Sequence, residues 1–445
     1  ILKAKRGSAP AQINVPRDFW TQVVDIELPS IIEFERPAGG STAISEAANL
    51  LSNAKFPVIL SGAGVVLADA IEDCKKIAEK LDAPVACGYQ HNDSFPGKHP
   101  LAVGPLGYNG SKAAMEIISK ADVVLALGTR LNPFSTLPGY GIDYWPKEAK
   151  IIQVDINSDR IGLAKKISVG ICGDAKLVAE QILNKLSSTA GDDGREDRKA
   201  IIHQTKSAWL QSLTSLDHEE DDEGTSWNKE SRERDPDRMS PRMAWRAIQA
   251  GLPDDAIISS DIGNNCAIGN AYPTFEQGRK YLAPGLFGPC GYGFPSVLGA
   301  KIGCPDTPVV GFSGDGAFGI SMSEMTSCSR EEWPNITMVI FRNYQWGAEK
   351  RNTTLWYDNN FIGTELDPKL SYAKIAEACG FKGVKVTTQL ELTEALKISC
   401  VDQMNGVTTF IEVILNQELG EPFRRDAMKA PVEVAGIDSK DTVVQ

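Results

Sequence analysis

The chain has 445 residues, 42% apolar and 23% charged, an ordinary globular composition with room for two or three domains. Its formal net charge of −12 suits neither nucleic acid nor an anionic membrane surface, so neither is expected as a partner. An anionic substrate would need local positive charge against that background.

In chain order, AQINVPRDFW (11–20) reads as a short strand ending at Pro16, with nothing before it to pair against. Residues 1–35 are expected to be the last strand of a further domain plus a linker. From Ser45 helices and strands alternate. ISEAANLLSNA, DAIEDCKKIAEKLD, KAAMEIISKA and DAKLVAEQILNKL have helical spacing. PVILSGAG, APVACG, DVVLALGT and AKIIQVDI are apolar runs of strand length between them. This pattern predicts a doubly wound parallel sheet over 36–190. Its turn LSGAGVV lacks the third glycine of GxGxxG, and nothing in it demands a flavin. Ten acidic and four basic residues between Asp217 and Arg238 mark 191–238 as a charged, solvated linker or exposed helix pair.

A second series begins at SPRMAWRAIQAGL, with Ser240 as N-cap and Pro241 at the first helical position. AIISSDIG, TPVVGFSGDG, ITMVIFRN and TTFIEVIL read as strands, and SYAKIAEACG as a helix with a glycine stop. A second doubly wound domain is expected over 239–430, with a tail at 431–445. The fold class is thus α/β: two parallel-sheet domains preceded by a remnant strand. Nine cysteines without a CxxC pair point to a reducing compartment, the cytoplasm. Four histidines without HExxH offer no zinc motif, no run approaches 18 apolar residues, and no signal peptide is visible.

Ligands of open parallel sheets sit beyond the carboxyl ends of the strands. Three such ends are rich in Gly, Asp and Asn: SSDIGNN (259–265), FSGDGAFG (312–319) and FRNYQWG (341–347). Any one alone is as well explained by turn chemistry. Together they offer a phosphate and metal site. Gly314 and Gly316 let backbone approach an anion, while Asp315 and Asn343 supply hard oxygens for an octahedral magnesium shared with phosphates.

Gly-Asp-Gly with Asn 28 residues beyond the Asp resembles the thiamine diphosphate motif, and nearly the whole chain resembles the thiamine diphosphate-dependent, acetolactate synthase-like enzymes. The resemblance implies magnesium held by Asp315, the Asn343 side chain and the Gln345 carbonyl. It implies cofactor contacts at Asp261, Gly263, Asn264 and Asn265, at Gly314, Gly316 and Ala317, and at Trp346 and Gly347. GPCGYGFPSVLGAKIG (288–303) matches the segment supporting the bent cofactor. There the Gly288 carbonyl would accept from the aminopyrimidine, and Cys290 stands where a bulky apolar wedge is usual. The family has pyrimidine-binding, central and diphosphate-binding domains, and this chain resembles the last strand of the first and all of the other two. The glutamate that activates the aminopyrimidine belongs to the first, so no residue here is assigned that role. Residues 1–445 alone are expected to bind cofactor weakly and not to turn over. A homodimer or homotetramer with sites across the dimer interface is also implied.

Two stretches, 341–367 and 89–115, look like the sulfoacetaldehyde acetyltransferase branch. That branch implies sulfoacetaldehyde and phosphate as substrates, acetyl phosphate and sulfite as products, and no FAD. Lys350 and Arg351 would then face a sulfonate or a phosphate, or else form an exposed face with local ion pairs. His91 and His99 flank a Pro/Gly-rich loop where they line the site or satisfy the loop. An acetolactate synthase, an oxo-acid decarboxylase and an inactive cofactor-binding chain stay open as alternatives.

Overall fold

Apolar runs too short for helices and bounded by turn residues become strands buried on both faces. The computed structural model describes residues 4, 9–28, 30, 35–217, 226–285 and 287–419. The expected tail at 431–445, and residues 420–430, lie outside the described residues. The first sheet comprises β1 (Pro57–Ser61), β2 (Val85–Cys87), β3 (Ala102–Pro105), β4 (Val123–Leu127), β5 (Lys150–Asp155) and β6 (Val169–Cys172). Its order is β3-β2-β1-β4-β5-β6, with every pair parallel. Helices α1 (Ser41–Ser52), α2 (Ile71–Leu81), α3 (Lys112–Ile118) and α4 (Ala175–Lys185) complete the unit. Asp174 caps α4 by accepting from the Lys176 and Leu177 amides.

The glycine-rich turn after β1 has a structural use. Gly64 N donates to Gly128 O at 2.8 Å, and a Cβ on Gly64 would lie 2.6 Å from Gly128 Cα. The turns after β1 and β4 therefore meet backbone to backbone, which only glycine permits at this separation.

The second sheet comprises β7 (Ile257–Ser260), β8 (Tyr281–Leu282), β9 (Val309–Gly314), β10 (Thr337–Arg342), β11 (Lys382–Val386) and β12 (Thr409–Ile414), in the parallel order β11-β12-β10-β9-β7-β8. Its connections leave β7 and β9 in opposite directions. The crevice between their carboxyl ends is thus the switch point where such sheets bind ligands.

Two expectations are corrected. Residues 11–15 form no strand: they are exposed and followed by a 3₁₀ turn at Arg17–Thr21, because no described strand lies alongside to pair with them. The segment 191–238 does hold a helix pair, Arg195–Asp217 and α6 (Ser226–Arg234), but the first helix is not merely exposed. Helix α5 (Arg195–Asp217) buries Ile202, Trp209 and Leu213. Arg198, almost wholly buried, donates to the carbonyls of Lys55 at 2.7 Å and Leu81 at 3.0 Å. The apolar stripe on α5 outweighs its charge. Among the described residues no helix is long and apolar enough to cross a membrane.

The loop after β2 joins the two sheets' units. Asn92 Nδ2 donates to the carbonyls of Asn270 and Pro273 at 2.8 and 2.9 Å, and Asp93 Oδ2 accepts from the Lys280 and Tyr281 amides at 3.0 and 3.2 Å. Burial pushes the Asp93 carboxyl up, against those amides. A folded-state value above the unfolded one adds stability at low pH that is lost as pH rises through the folded value. Asp93→Asn removes this dependence. In urea unfolding, wild type should therefore lose stability relative to the variant between acid and neutral pH; parallel profiles would contradict it.

Candidate active site

The three Gly/Asp/Asn-rich segments do converge at the β7/β9 crevice. Asp315 begins α9 (Asp315–Ser321) directly after β9, is 1% exposed, and its carboxylate oxygens are used differently. Oδ2 accepts from Arg342 Nη1 at 3.0 Å and Tyr344 N at 2.7 Å. Oδ1 accepts from Gly316 N at 3.0 Å. Burial pushes this carboxyl up to about 6, with Arg342 and the amides pulling it down. The Asn343 side-chain amide stands 3.2 Å from both Asp315 Oδ1 and the Gln345 carbonyl oxygen. With its nitrogen toward them it donates to both, and its oxygen accepts from Asn265 Nδ2 at 3.2 Å. With its oxygen toward them, three oxygens converge without a proton among them. Cis ligands of an octahedral magnesium lie about 3.0 Å apart, so this donor set fits that ion.

The loop that makes this possible is strained. Tyr344 has φ +60°, a left-handed conformation that a bulky residue rarely adopts. Its ring lies against two guanidinium groups, Arg342 at 4.3 Å and Arg238 at 4.9 Å, and its amide holds Asp315. Trp346 covers Gly316, where a Cβ would lie 2.9 Å from the indole. Gly347 opens α10 (Gly347–Trp356) beside Asn264.

On the other side of the crevice, Gly263 at φ +139° precedes α7 (Asn264–Ile268). Asn264 accepts from Arg351 Nη1 at 3.2 Å and lies 3.5 Å from the Tyr108 hydroxyl; its own amide donates to Glu418 O at 3.4 Å. Asn265 Oδ1 and Gln345 Oε1 are buried with no hydrogen-bond partner among the described residues, so polar atoms at this crevice are left for something else to satisfy. Gly288, at φ +71°, faces Ile262, whose Cγ1 would lie 4.0 Å from a Cβ there, Cys290 is partly exposed, and Ala317 is buried on α9. Asp261 points elsewhere. Its carboxylate accepts from Ile262 N, Gly291 N, Tyr292 N, Gly293 N and Ser313 Oγ at 2.8–3.3 Å. It braces the start of α8 (Gly293–Gly303) rather than presenting oxygen to the crevice.

Lys350 and Arg351 do not form an exposed face; both are buried. Lys350 Nζ donates to Glu365 Oε1 at 2.5 Å, and Glu365 also accepts from Gln417 Nε2 at 3.2 Å. Arg351 lies 4.8 Å from the Tyr108 ring centroid, and its desolvation lowers it to about 10. The two histidines separate. His99 Nε2 is 3.3 Å from Glu79 Oε1, Nδ1 accepts from Leu101 N, and the ring stands edge-on to Phe95, so it satisfies its loop. His91 is pushed down to about 4 by burial, with Arg130 adding to the shift, and is neutral at ordinary pH. Sequence reasoning passed over Tyr89, Tyr108, Arg342, Glu365 and the 416–418 segment. Only Arg342 carried a visible signal, a charge closing an otherwise apolar strand.

Comparison with known proteins decides the family. Residues 44–182 match the family profile "Thiamine pyrophosphate enzyme, central domain", and residues 261–413 match "Thiamine pyrophosphate enzyme, C-terminal TPP binding domain". The chain is 76% identical over 445 residues to a probable sulfoacetaldehyde acetyltransferase of Rhizobium meliloti, covering all of this chain and 75% of that protein. It is 73% identical over 441 residues to a sulfoacetaldehyde acetyltransferase of Roseovarius nubinhibens, covering 99% of this chain and 73% of the other. The chain belongs to the sulfoacetaldehyde acetyltransferase family of thiamine pyrophosphate enzymes. A probable acetolactate synthase large subunit of Methanococcus aeolicus is more distant, at 29% identity over 408 residues, 88% of this chain and 65% of that protein. Membership makes this a thiamine diphosphate protein with a magnesium requirement typical of the family, and the oxygen cluster at Asp315 fits that ion.

Proposed function

We propose that this sulfoacetaldehyde acetyltransferase family member converts sulfoacetaldehyde and phosphate into acetyl phosphate and sulfite in the cytoplasm, as a homodimer or homotetramer. The observation that carries the site is the Asn343 amide standing 3.2 Å from both Asp315 Oδ1 and the Gln345 carbonyl. Those three groups would hold magnesium. Gly263, Asn264, Asn265, Gly314, Gly316, Ala317, Trp346 and Gly347 would line the place for the diphosphate, and the 288–290 segment would support the ring end of the cofactor, with the Gly288 carbonyl as an acceptor and Cys290 as an apolar contact. Bound thiamine diphosphate supplies the nucleophilic carbon and the electron sink needed to break a carbon–sulfur bond. The chain's own residues do the rest. Asp261 keeps the 288–293 segment in place, and Trp346 screens the Gly316 turn from water. Arg351, desolvated among Asn264, Tyr108 and Tyr89, is the cation for a sulfonate or phosphate.

Product analysis of the protein at the full length of its relatives tests this reading. Sulfite and acetyl phosphate in equal amounts support it; carbon dioxide from a 2-oxo acid, with no sulfite, replaces it with the acetolactate synthase or decarboxylase reading. Within the same assay, Arg351→Ala should raise the KM for aldehyde or phosphate roughly ten- to a hundredfold, the equivalent of about 1.5–3 kcal/mol for a charge-assisted contact. Lys350→Ala acts through Glu365 and should change KM far less. Wild-type KM values in Arg351→Ala would remove Arg351 from the substrate site.

A further inference from the structure

Arg342 has an unusual setting. It ends β10, in which every residue from Thr337 to Arg342 is buried, and it is 0% exposed. A buried guanidinium is costly unless partners hold it on all sides. Here Nη1 donates to Asp315 Oδ2 at 3.0 Å, Nη2 donates to the carbonyls of Asp367 and Leu370, and Nε lies 3.8 Å from Glu412 Oε1. The rings of Tyr344 and Tyr372 lie 4.3 and 5.3 Å away. Glu412 is itself held by Ser371 Oγ at 2.6 Å and Ala373 N at 3.1 Å, so the far side of the cluster is anchored to α11 (Tyr372–Ala378). The Tyr372 hydroxyl closes the ring by donating to Asp315 O at 2.8 Å.

The consequence falls on Asp315. With Arg342 and Tyr344 N both on Oδ2, the carboxylate cannot swing about its Cβ–Cγ bond to offer two oxygens at once. Only Oδ1 faces the Asn343 amide and the Gln345 carbonyl. Magnesium demands near-ideal octahedral geometry at about 2.1 Å, whereas calcium accepts six to eight oxygens at about 2.3–2.6 Å, including bidentate carboxylates. We propose that Arg342 is a positioning residue that confines Asp315 to one ligating oxygen and so makes the site prefer a small octahedral cation to a larger, more highly coordinated one. The inference rests on the metal site proposed above and adds to it the residue that sets the cation preference.

Calorimetric titration of the full chain with thiamine diphosphate, in magnesium or in calcium, tests it. Wild type binds the cofactor more tightly with magnesium. Arg342→Met should narrow that preference by about tenfold, through loss of the magnesium affinity with little loss of the calcium affinity. Arg342→Lys, which keeps a charge and one donor toward Oδ2, should restore part of it. General loosening of the fold weakens both cations alike, so an unchanged ratio in a folded variant overturns the proposal. If Arg342→Met fails to fold, by circular dichroism, the double variant Arg342→Met/Glu412→Gln leaves one fewer buried carboxylate and gives the same readout. Cofactor binding by wild type with neither cation overturns the metal site itself, a result distinct from an unaltered ratio in the variants.

Discussion

Asp315→Asn is expected to abolish magnesium-dependent thiamine diphosphate binding, by about a hundredfold or more, while leaving the fold in place. The substitution keeps the shape of the side chain but forces a choice. Arg342 Nη1 and Tyr344 N both donate to Oδ2, so the amide oxygen of the new residue must turn toward them. That places an NH2 group where Oδ1 now meets the Asn343 amide and the Gln345 carbonyl. A cation site with a donor aimed into it is worse than one merely short of a ligand. Asp315→Ala should lose the cofactor too, but it also removes an acceptor from a buried guanidinium that keeps only Glu412 and two carbonyls, at a cost of up to about 3–5 kcal/mol. The two variants therefore separate ligation from stability. Calorimetry with cofactor and magnesium measures the first, and urea unfolding the second. Near wild-type affinity in Asp315→Asn would rule Asp315 out as a ligand.

Asp261→Ala is expected to destabilise the protein by about 3–5 kcal/mol, and to weaken cofactor binding without removing a cofactor contact. Five donors end on this one carboxylate, three of them the consecutive amides of Gly291, Tyr292 and Gly293. Alanine leaves them unsatisfied in a place that water reaches poorly, where each costs about 1–3 kcal/mol before relaxation. The segment carrying Gly288 and Cys290 then loses its anchor to the end of β7. Asp261→Asn keeps an acceptor for one side of the cluster, so its effect should be the smaller of the two. An Asp261→Ala protein with an unshifted urea midpoint and unchanged cofactor affinity would contradict the bracing role.

The sequence alone determined the strands that are buried on both faces. PVILS, VVLAL, VVGFSG, TMVIFR and TFIEVI are short apolar runs between helices, and no other placement buries them. It also determined the helix starts that carry their own caps, such as Ser240, whose hydroxyl accepts from Met243 N at 3.1 Å. The Gly-Asp-Gly turn and the Asn 28 residues later were legible because turn chemistry and metal chemistry draw on few residue types. The edge strands were not. β8 has two residues and β11 is only partly buried, so neither has a continuous apolar signature. The tertiary structure alone decided what each polar residue of the site does. Asp261 and Asp315 each follow a buried strand with a glycine within two residues, yet one carboxylate ends on five donors of its own chain and the other keeps an oxygen toward the crevice. Lys350 and Arg351 are neighbours on one helix, yet one is tied to Glu365 and the other lies against Asn264 and Tyr108. Hydrogen-bond partners from 15 residues away, as Glu365 is from Lys350, to 87, as Asn264 is from Arg351, make those differences, and the energy of a buried polar group depends on which partner the fold brings to it rather than on the residues beside it in the chain.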